Sequence, residues 1–296
     1  GIFMKKLGIL ALTLVMSIVL VACGGDEEKS SSDDQASGDL GEKDLKLSYV
    51  EWDSEVASTH VMQKILEEAG YNVEVNPLDN AIMWEAVANG EADASVSAWL
   101  PVTHKDLYEK HKDDIDDLGE NLKGAKIGLV VPKDFPVDSI EDLSKEADQK
   151  VTGIEPGAGV VQAAEKAVEE YDNLSDWEVV TSSSAAMAQS LGDSIDSEDE
   201  IVVTGWSPHW KFQKYDLKYL DDPKGVFGEE EHINTFARKG LEEDSPKAYE
   251  ILDNFEWSTE EMEKVMLDIQ EGSEPSEAAE KWVEDNSDKV KEIIGE

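Results

Sequence analysis

Three tryptophans stand at matching places in this chain. Trp52 follows a strand-like run in Val50-Glu51-Trp52-Asp53-Ser54-Glu55. Trp99 and Trp206 each follow another, in Ala98-Trp99-Leu100-Pro101 and Gly205-Trp206-Ser207-Pro208. Tryptophan is ordinarily core or interface material, and any one of these could be that. Three at equivalent loop positions offer a specific chemistry. A quaternary ammonium has no N–H, so a carboxylate gives it charge but no geometry. Aromatic faces supply the ring quadrupole and apolar contact with the methyl groups together. Each face contributes roughly 0.5–2 kcal/mol, so three supply about 2–6. Micromolar capture needs roughly 8 kcal/mol, which calls for a second handle on the ligand.

Glu155-Pro156-Gly157-Ala158-Gly159-Val160 offers one. It lies between a strand pattern and a helical pattern, and a helix start presents free N–H groups and a positive dipole end to an anion. Gly157 and Gly159 permit close backbone approach. His104, five residues after Trp99, could donate to the same anion, at ~1.5–3 kcal/mol per charged hydrogen bond. Both features have plainer explanations, a strand-to-helix turn and an idle loop histidine. A dinucleotide fingerprint fits worse, because Gln162 stands where the third glycine belongs. His209, between Trp206 and Trp210, reads as structural. His60, His111 and His232 show no metal-ligand spacing, and no cofactor is implied. Trp84, Trp177, Trp257 and Trp282 read as packing.

The elements that must position these residues repeat. Residues 46–50 pattern as a strand, 58–69 as a helix, 71–75 as a strand, 81–89 as a helix and 94–98 as a strand that runs into Trp99. The same β-α-β-α-β order recurs over 150–154, 159–171, 177–181, 184–191 and 201–204, running into Trp206. This predicts an α/β protein of two lobes, each a mostly parallel sheet flanked by helices, with the strand-end loops of both lining one cleft. Residues 45–128 with 232–296 form the first lobe and 129–231 the second. Segments 126–131 and 232–238 read as the crossings. Helices over 246–254, 259–270 and 276–294 are expected on the first lobe.

At the N-terminus Lys5 and Lys6 precede an apolar run over residues 7–21, too short for a comfortable membrane span and suited to an export signal. The run ends in Leu20-Val21-Ala22-Cys23-Gly24, which resembles the lipobox of bacterial lipoproteins. Residues 1–22 are then the signal, Cys23 the lipidated residue, and 23–44 a flexible tether rich in Ser, Asp, Glu and Gly. The protein is expected to be extracytoplasmic and anchored to the cell membrane by lipid alone. Cys23 is the only cysteine, so no intrachain disulfide can form. Asp and Glu number 68 against 26 Lys and Arg, a net charge of −42. Nucleic acid and anionic lipid surfaces are therefore poor partners. A monomer is expected.

Four segments resemble the glycine betaine-binding proteins of osmoprotectant ABC importers: Tyr49 to Glu55, Ser97 to His104, Thr204 to Trp210, and Tyr219-Leu220-Asp221-Asp222-Pro223. The resemblance runs from about Lys46 to at least Arg238. It implies a two-lobed, type II periplasmic-binding-protein-like fold that closes on its ligand, and separate permease and ATPase partners. It implies a prism of Trp52, Trp99 and Trp206 around a trimethylammonium, and a carboxylate held by the backbone N–H groups of Gly159 and Val160 and by the His104 side chain. Some members carry the glycine-rich half first; here the Trp52/Trp99 half comes first. The expected role is capture of glycine betaine, with proline betaine a further candidate, and no catalysis. Two alternatives stand beside it. One is a binder of another quaternary ammonium, such as choline or carnitine. The other is a secreted hydrolase using Ser54 or Ser207 with His104 or His209, for which no Gly-x-Ser-x-Gly elbow is present.

Overall fold

The computed structural model describes residues 38–296. The expected signal, the Cys23 lipid site and most of the tether lie outside the described residues. Where the tether is described, Leu40 and Glu42 are tied to the body. The Leu40 carbonyl accepts from the Tyr71 hydroxyl at 2.7 Å. The Glu42 N–H donates to the Asp244 carbonyl at 2.8 Å.

The first repeat is β1 (Asp44–Tyr49), α1 (Asp53–Glu68), β2 (Asn72–Pro77), α2 (Asn80–Ala88) and β3 (Ala94–Leu100). α3 (Lys105–His111) and β4 (Ile115–Pro132) follow. The second repeat is β5 (Lys150–Thr152), α4 (Gly159–Glu170), β6 (Glu178–Val180), α5 (Ser184–Asp196) and β7 (Val203–Ser207). Then come α6 (Lys211–Lys214), β8 (Leu217–Tyr219) and β9 (Glu231–Arg238). The chain closes with α7 (Leu241–Asp244), α8 (Pro246–Asn254), α9 (Thr259–Gln270), α10 (Pro275–Asp285) and α11 (Ser287–Ile294).

The sheet order is β2-β1-β3-β9-β4-β7-β5-β6, with β8 also on β4. Both repeats are built the same way. β1 pairs in parallel with β2 and β3, and β5 pairs in parallel with β6 and β7. Two antiparallel strands, β9 and β4, join the halves. β3 is buried along its whole length, which its small residues allow.

β4 is the bridge. Residues Ile115 to Ala125 pair with β9, and Lys126 to Val130 pair with β7. The first part carries three register shifts, and Gly119 and Gly124, with φ of 87° and 84°, fall within two of them. The outgoing crossing is thus the second half of a strand that begins at Ile115. The return is made before β9, which lies wholly against β3 and β4.

α1 packs against α9 and α10. Ser258 and Glu261 form a reciprocal capping box at the start of α9. The single helix expected over 276–294 is two, broken at Asn286, whose side chain donates to the Trp282 carbonyl at 2.8 Å. Trp282 and Trp257 meet edge to face at 5.5 Å, and Trp84 stacks on Phe236 at 4.3 Å, so these tryptophans are core. Among the described residues no helix is long and apolar enough to cross a membrane.

Candidate functional site

All six ligand-binding residues singled out in the sequence line one cavity: Trp52, Trp99, Trp206, His104, Gly159 and Val160. It lies at the carboxyl ends of the parallel strands of both repeats, as strand-to-helix geometry requires. Trp52 is the residue before α1, and Trp99 and Trp206 are the next-to-last residues of β3 and β7, inside the strands they were expected to follow. The peptide bonds Leu100–Pro101 and Ser207–Pro208, just past the last two, are both cis.

The spacing of Trp99 and His104 has a local cause. The His104 N–H donates to the Trp99 carbonyl at 2.8 Å, and the Trp99 N–H donates to His104 Nδ1 at 3.0 Å. This reciprocal pair closes the turn and fixes the tautomer. Nδ1 accepts, so Nε2 carries the proton. Nε2 is buried without a hydrogen-bond partner. Burial holds the imidazole neutral by pushing its pKa down to about 3. Trp52 stacks on the ring at 5.8 Å and Trp84 meets it edge-on at 5.9 Å. Nothing about His104 is idle: it is a fixed neutral donor.

Gly159 and Val160 open α4. Ala158, at the N-cap, has no side-chain oxygen, and no side chain caps the helix. The first-turn N–H groups are therefore left to whatever occupies the cavity. A Cβ on Gly159 would run into the Thr103 carbonyl from the loop after β3. The two repeats touch at this point, and only glycine permits it. Gly157, with φ of 88°, makes the turn itself.

The tryptophans differ in what lies behind them. The Trp99 indole N–H donates to Glu55 Oε1 at 2.7 Å. The Trp52 indole N–H donates to Glu155. The Trp206 indole N–H is buried with no partner, and Lys211 Nζ lies 4.7 Å from the ring centre. Lys211 is 0% exposed and its Nζ has no hydrogen-bond partner. Burial drives its pKa down to about 7, against the pull of Asp53.

Several polar residues here were not singled out in the sequence. Glu231 Oε1 accepts from the N–H groups of Val102 and Thr103 at 2.8 and 2.7 Å, holding the loop that carries His104. His209 packs edge-on to Trp206 at 4.8 Å, in the structural place expected of it. It also bonds Asp53 across the cleft. The acids flanking Trp52 in the quoted segment, Glu51, Asp53 and Glu55, were the only available signal.

A family model described as the substrate binding domain of the ABC-type glycine betaine transport system matches residues 43–285. The glycine betaine/carnitine transport binding protein GbuC of Listeria monocytogenes is 49% identical over 156 residues. That stretch is 52% of this chain and 52% of that protein, so the match spans about half of the curated relative. The crystal structure of lactococcal OpuAC, closed on glycine betaine, is 54% identical, covers 86% of this chain and 100% of its own, and superposes with a TM-score of 0.84. The glycine betaine/L-proline-binding protein ProX of Borrelia burgdorferi is 37% identical, with 86% and 97% covered and a TM-score of 0.83. The fold is thus the two-lobed one of periplasmic-binding-protein-like solute receptors. The chain belongs to the family of substrate binding domains of ABC-type glycine betaine transport systems.

Proposed function

We propose that this chain captures glycine betaine outside the cytoplasm and delivers it to the separate permease and ATPase of an ABC importer, for osmoprotection. One observation carries the reading: a single cavity is walled by three indoles and also by unpaired donors. The trimethylammonium lies against Trp52, Trp99 and Trp206. The carboxylate receives the N–H groups of Gly159 and Val160 and the Nε2–H of His104. Lobe 1 is residues 45–128 with 232–296, and lobe 2 is 129–231. The protein acts as a monomer held to the membrane by a lipid on Cys23.

The donors decide between methylated amines. Choline has the cation without the carboxylate, and would leave three donors buried and unpaired, at about 1–3 kcal/mol each. Proline betaine keeps both groups. Carnitine keeps both but sets them farther apart. Calorimetry with this panel should give micromolar binding of glycine betaine and much weaker binding of choline. A tighter constant for choline overturns the assignment.

A further inference from the structure

Glu55 sits in the first turn of α1, lines the cavity and is 1% exposed. Oε1 accepts from the Trp99 indole N–H at 2.7 Å, and Oε2 bonds the Ser54 hydroxyl. Both partners are neutral. Among the described residues no Lys, Arg or His forms an ion pair with it. A buried carboxylate held only by neutral donors is costly unless a cation answers it. Burial accordingly raises its pKa to about 7, against the Ser54 and Trp99 hydrogen bonds. Core packing offers no reason to keep an acid here, since an apolar side chain would fill the same space without that cost.

We infer that Glu55 is the counter-charge of the tryptophan cage, the group that makes the site select a cation over a neutral ligand of the same shape. The inference rests on the betaine reading above and adds a residue to it. Two effects act together. The carboxylate attracts the quaternary nitrogen directly in a site shielded from water. It also draws on the Trp99 N–H, which leaves the indole ring richer in electrons for its cation contact. Glu155 does the same behind Trp52. Trp206 has no anion behind it and an amine over its ring. The negative potential is therefore concentrated on the Trp52 and Trp99 side, and the cation is held closer to those two rings.

The test is Glu55→Gln, which keeps the shape and an oxygen acceptor for Trp99 and removes the charge. Two ligands are titrated by calorimetry: glycine betaine, and 3,3-dimethylbutanoate, its isostere with carbon in place of the quaternary nitrogen. Glu55→Gln should weaken glycine betaine about 10- to 100-fold. It should leave 3,3-dimethylbutanoate unchanged or tighter, so that selectivity between the two collapses. An equal loss for both ligands would mean a structural role and overturns the inference, as would an unchanged constant for glycine betaine. If the wild-type chain binds no glycine betaine, the reading of the site falls and the counter-charge with it. Wild-type binding with unaltered selectivity in the variant removes the counter-charge alone.

Discussion

His209 Nε2 lies 2.6 Å from Asp53 Oδ2, joining the loop after β7 to the first residue of α1 across the cleft. The bond has a defined direction. His209 Nδ1 accepts from the Lys211 N–H at 3.0 Å, so Nε2 carries the hydrogen and donates to Asp53. Burial, with Lys211, pushes His209 down to about 4 and keeps it neutral. Burial would raise Asp53, but the His209 bond, with Trp210 and Lys211, holds it below its ordinary value. The contact is thus a hydrogen bond from a neutral imidazole to a carboxylate, and Trp210 Nε1 donates to the same oxygen at 3.1 Å. It joins the two repeats, so it exists only while they are together. Asp53→Ala should therefore favour the open form. Asp53 is partly exposed, so the loss is about 1 kcal/mol, roughly fivefold in affinity. Stopped-flow tryptophan fluorescence should show this as faster dissociation with little change in association.

Gly159 separates closure from folding more sharply. Its backbone is ordinary helix, so alanine fits α4 by itself. In this structure the added Cβ would meet the Thr103 carbonyl, which the other repeat supplies, so the clash should be relieved if the lobes part. Gly159→Ala should keep the melting temperature of the ligand-free protein and lose about 100-fold or more in betaine affinity, since backbone would have to give way. A betaine constant within twofold of wild type would show that the approach of Thr103 to α4 is not required.

The cage residues should not be equivalent. Trp52→Ala and Trp99→Ala each remove an indole face and also strand a carboxylate, Glu155 or Glu55. Trp206→Ala removes a face and uncovers Lys211. Each should weaken glycine betaine at least tenfold. Because its indole N–H bonds nothing, Trp206→Phe should be the mildest aromatic replacement of the three. Calorimetry on the three Phe variants tests that order.

How much of this could be read in the sequence depends on residue type. Trp52, Trp99 and Trp206 were legible because a rare side chain recurred just past strands that the period-two pattern could locate. His104 was legible because it lies in the loop after Trp99, five residues on; the reciprocal turn that fixes its ring shows only in the structure. Glu55 was not. Apolar spacing in α1 begins near residue 58, and Asp53-Ser54-Glu55 read as loop, whereas the helix begins at Asp53. Lys211 was missed for a similar reason: charge assigns a side chain to the surface unless tertiary structure covers it. The first half of β4 was hidden by its acids and glycines, which imitate a turn. Asp53 and His209 meet only after both repeats have folded, and no local pattern announces that.

His104 yields a prediction about pH. Its pKa of about 3 lies below the ordinary value because burial disfavours the imidazolium. The donor at Nε2 is therefore unchanged from pH 8 to about 5, and its titration contributes no slope to affinity in that range. His104→Ala should weaken carboxylate-bearing ligands by a factor that is the same at pH 5.5 and pH 7.5. A factor that shrinks toward neutral pH would mean that the imidazolium is the binding species.

Lys211 should be dispensable for binding and costly for stability. A buried amine with no hydrogen-bond partner beneath Trp206 opposes folding whenever it is protonated. Its folded pKa of about 7 lies below the unfolded value, so the unfolded chain binds more protons between the two. The penalty is complete below about pH 7 and is relieved as pH rises toward the unfolded value. Lys211→Met fills the same space without the charge. It should raise the melting temperature at pH 6, by an amount corresponding to ~1–4 kcal/mol, and the advantage should shrink steadily as pH approaches 10. Removing the positive charge behind Trp206 should also tighten glycine betaine at pH 6. A variant less stable than wild type at pH 6 would mean that the ammonium is satisfied in the fold, and that the cage tolerates a cation on both faces of one ring.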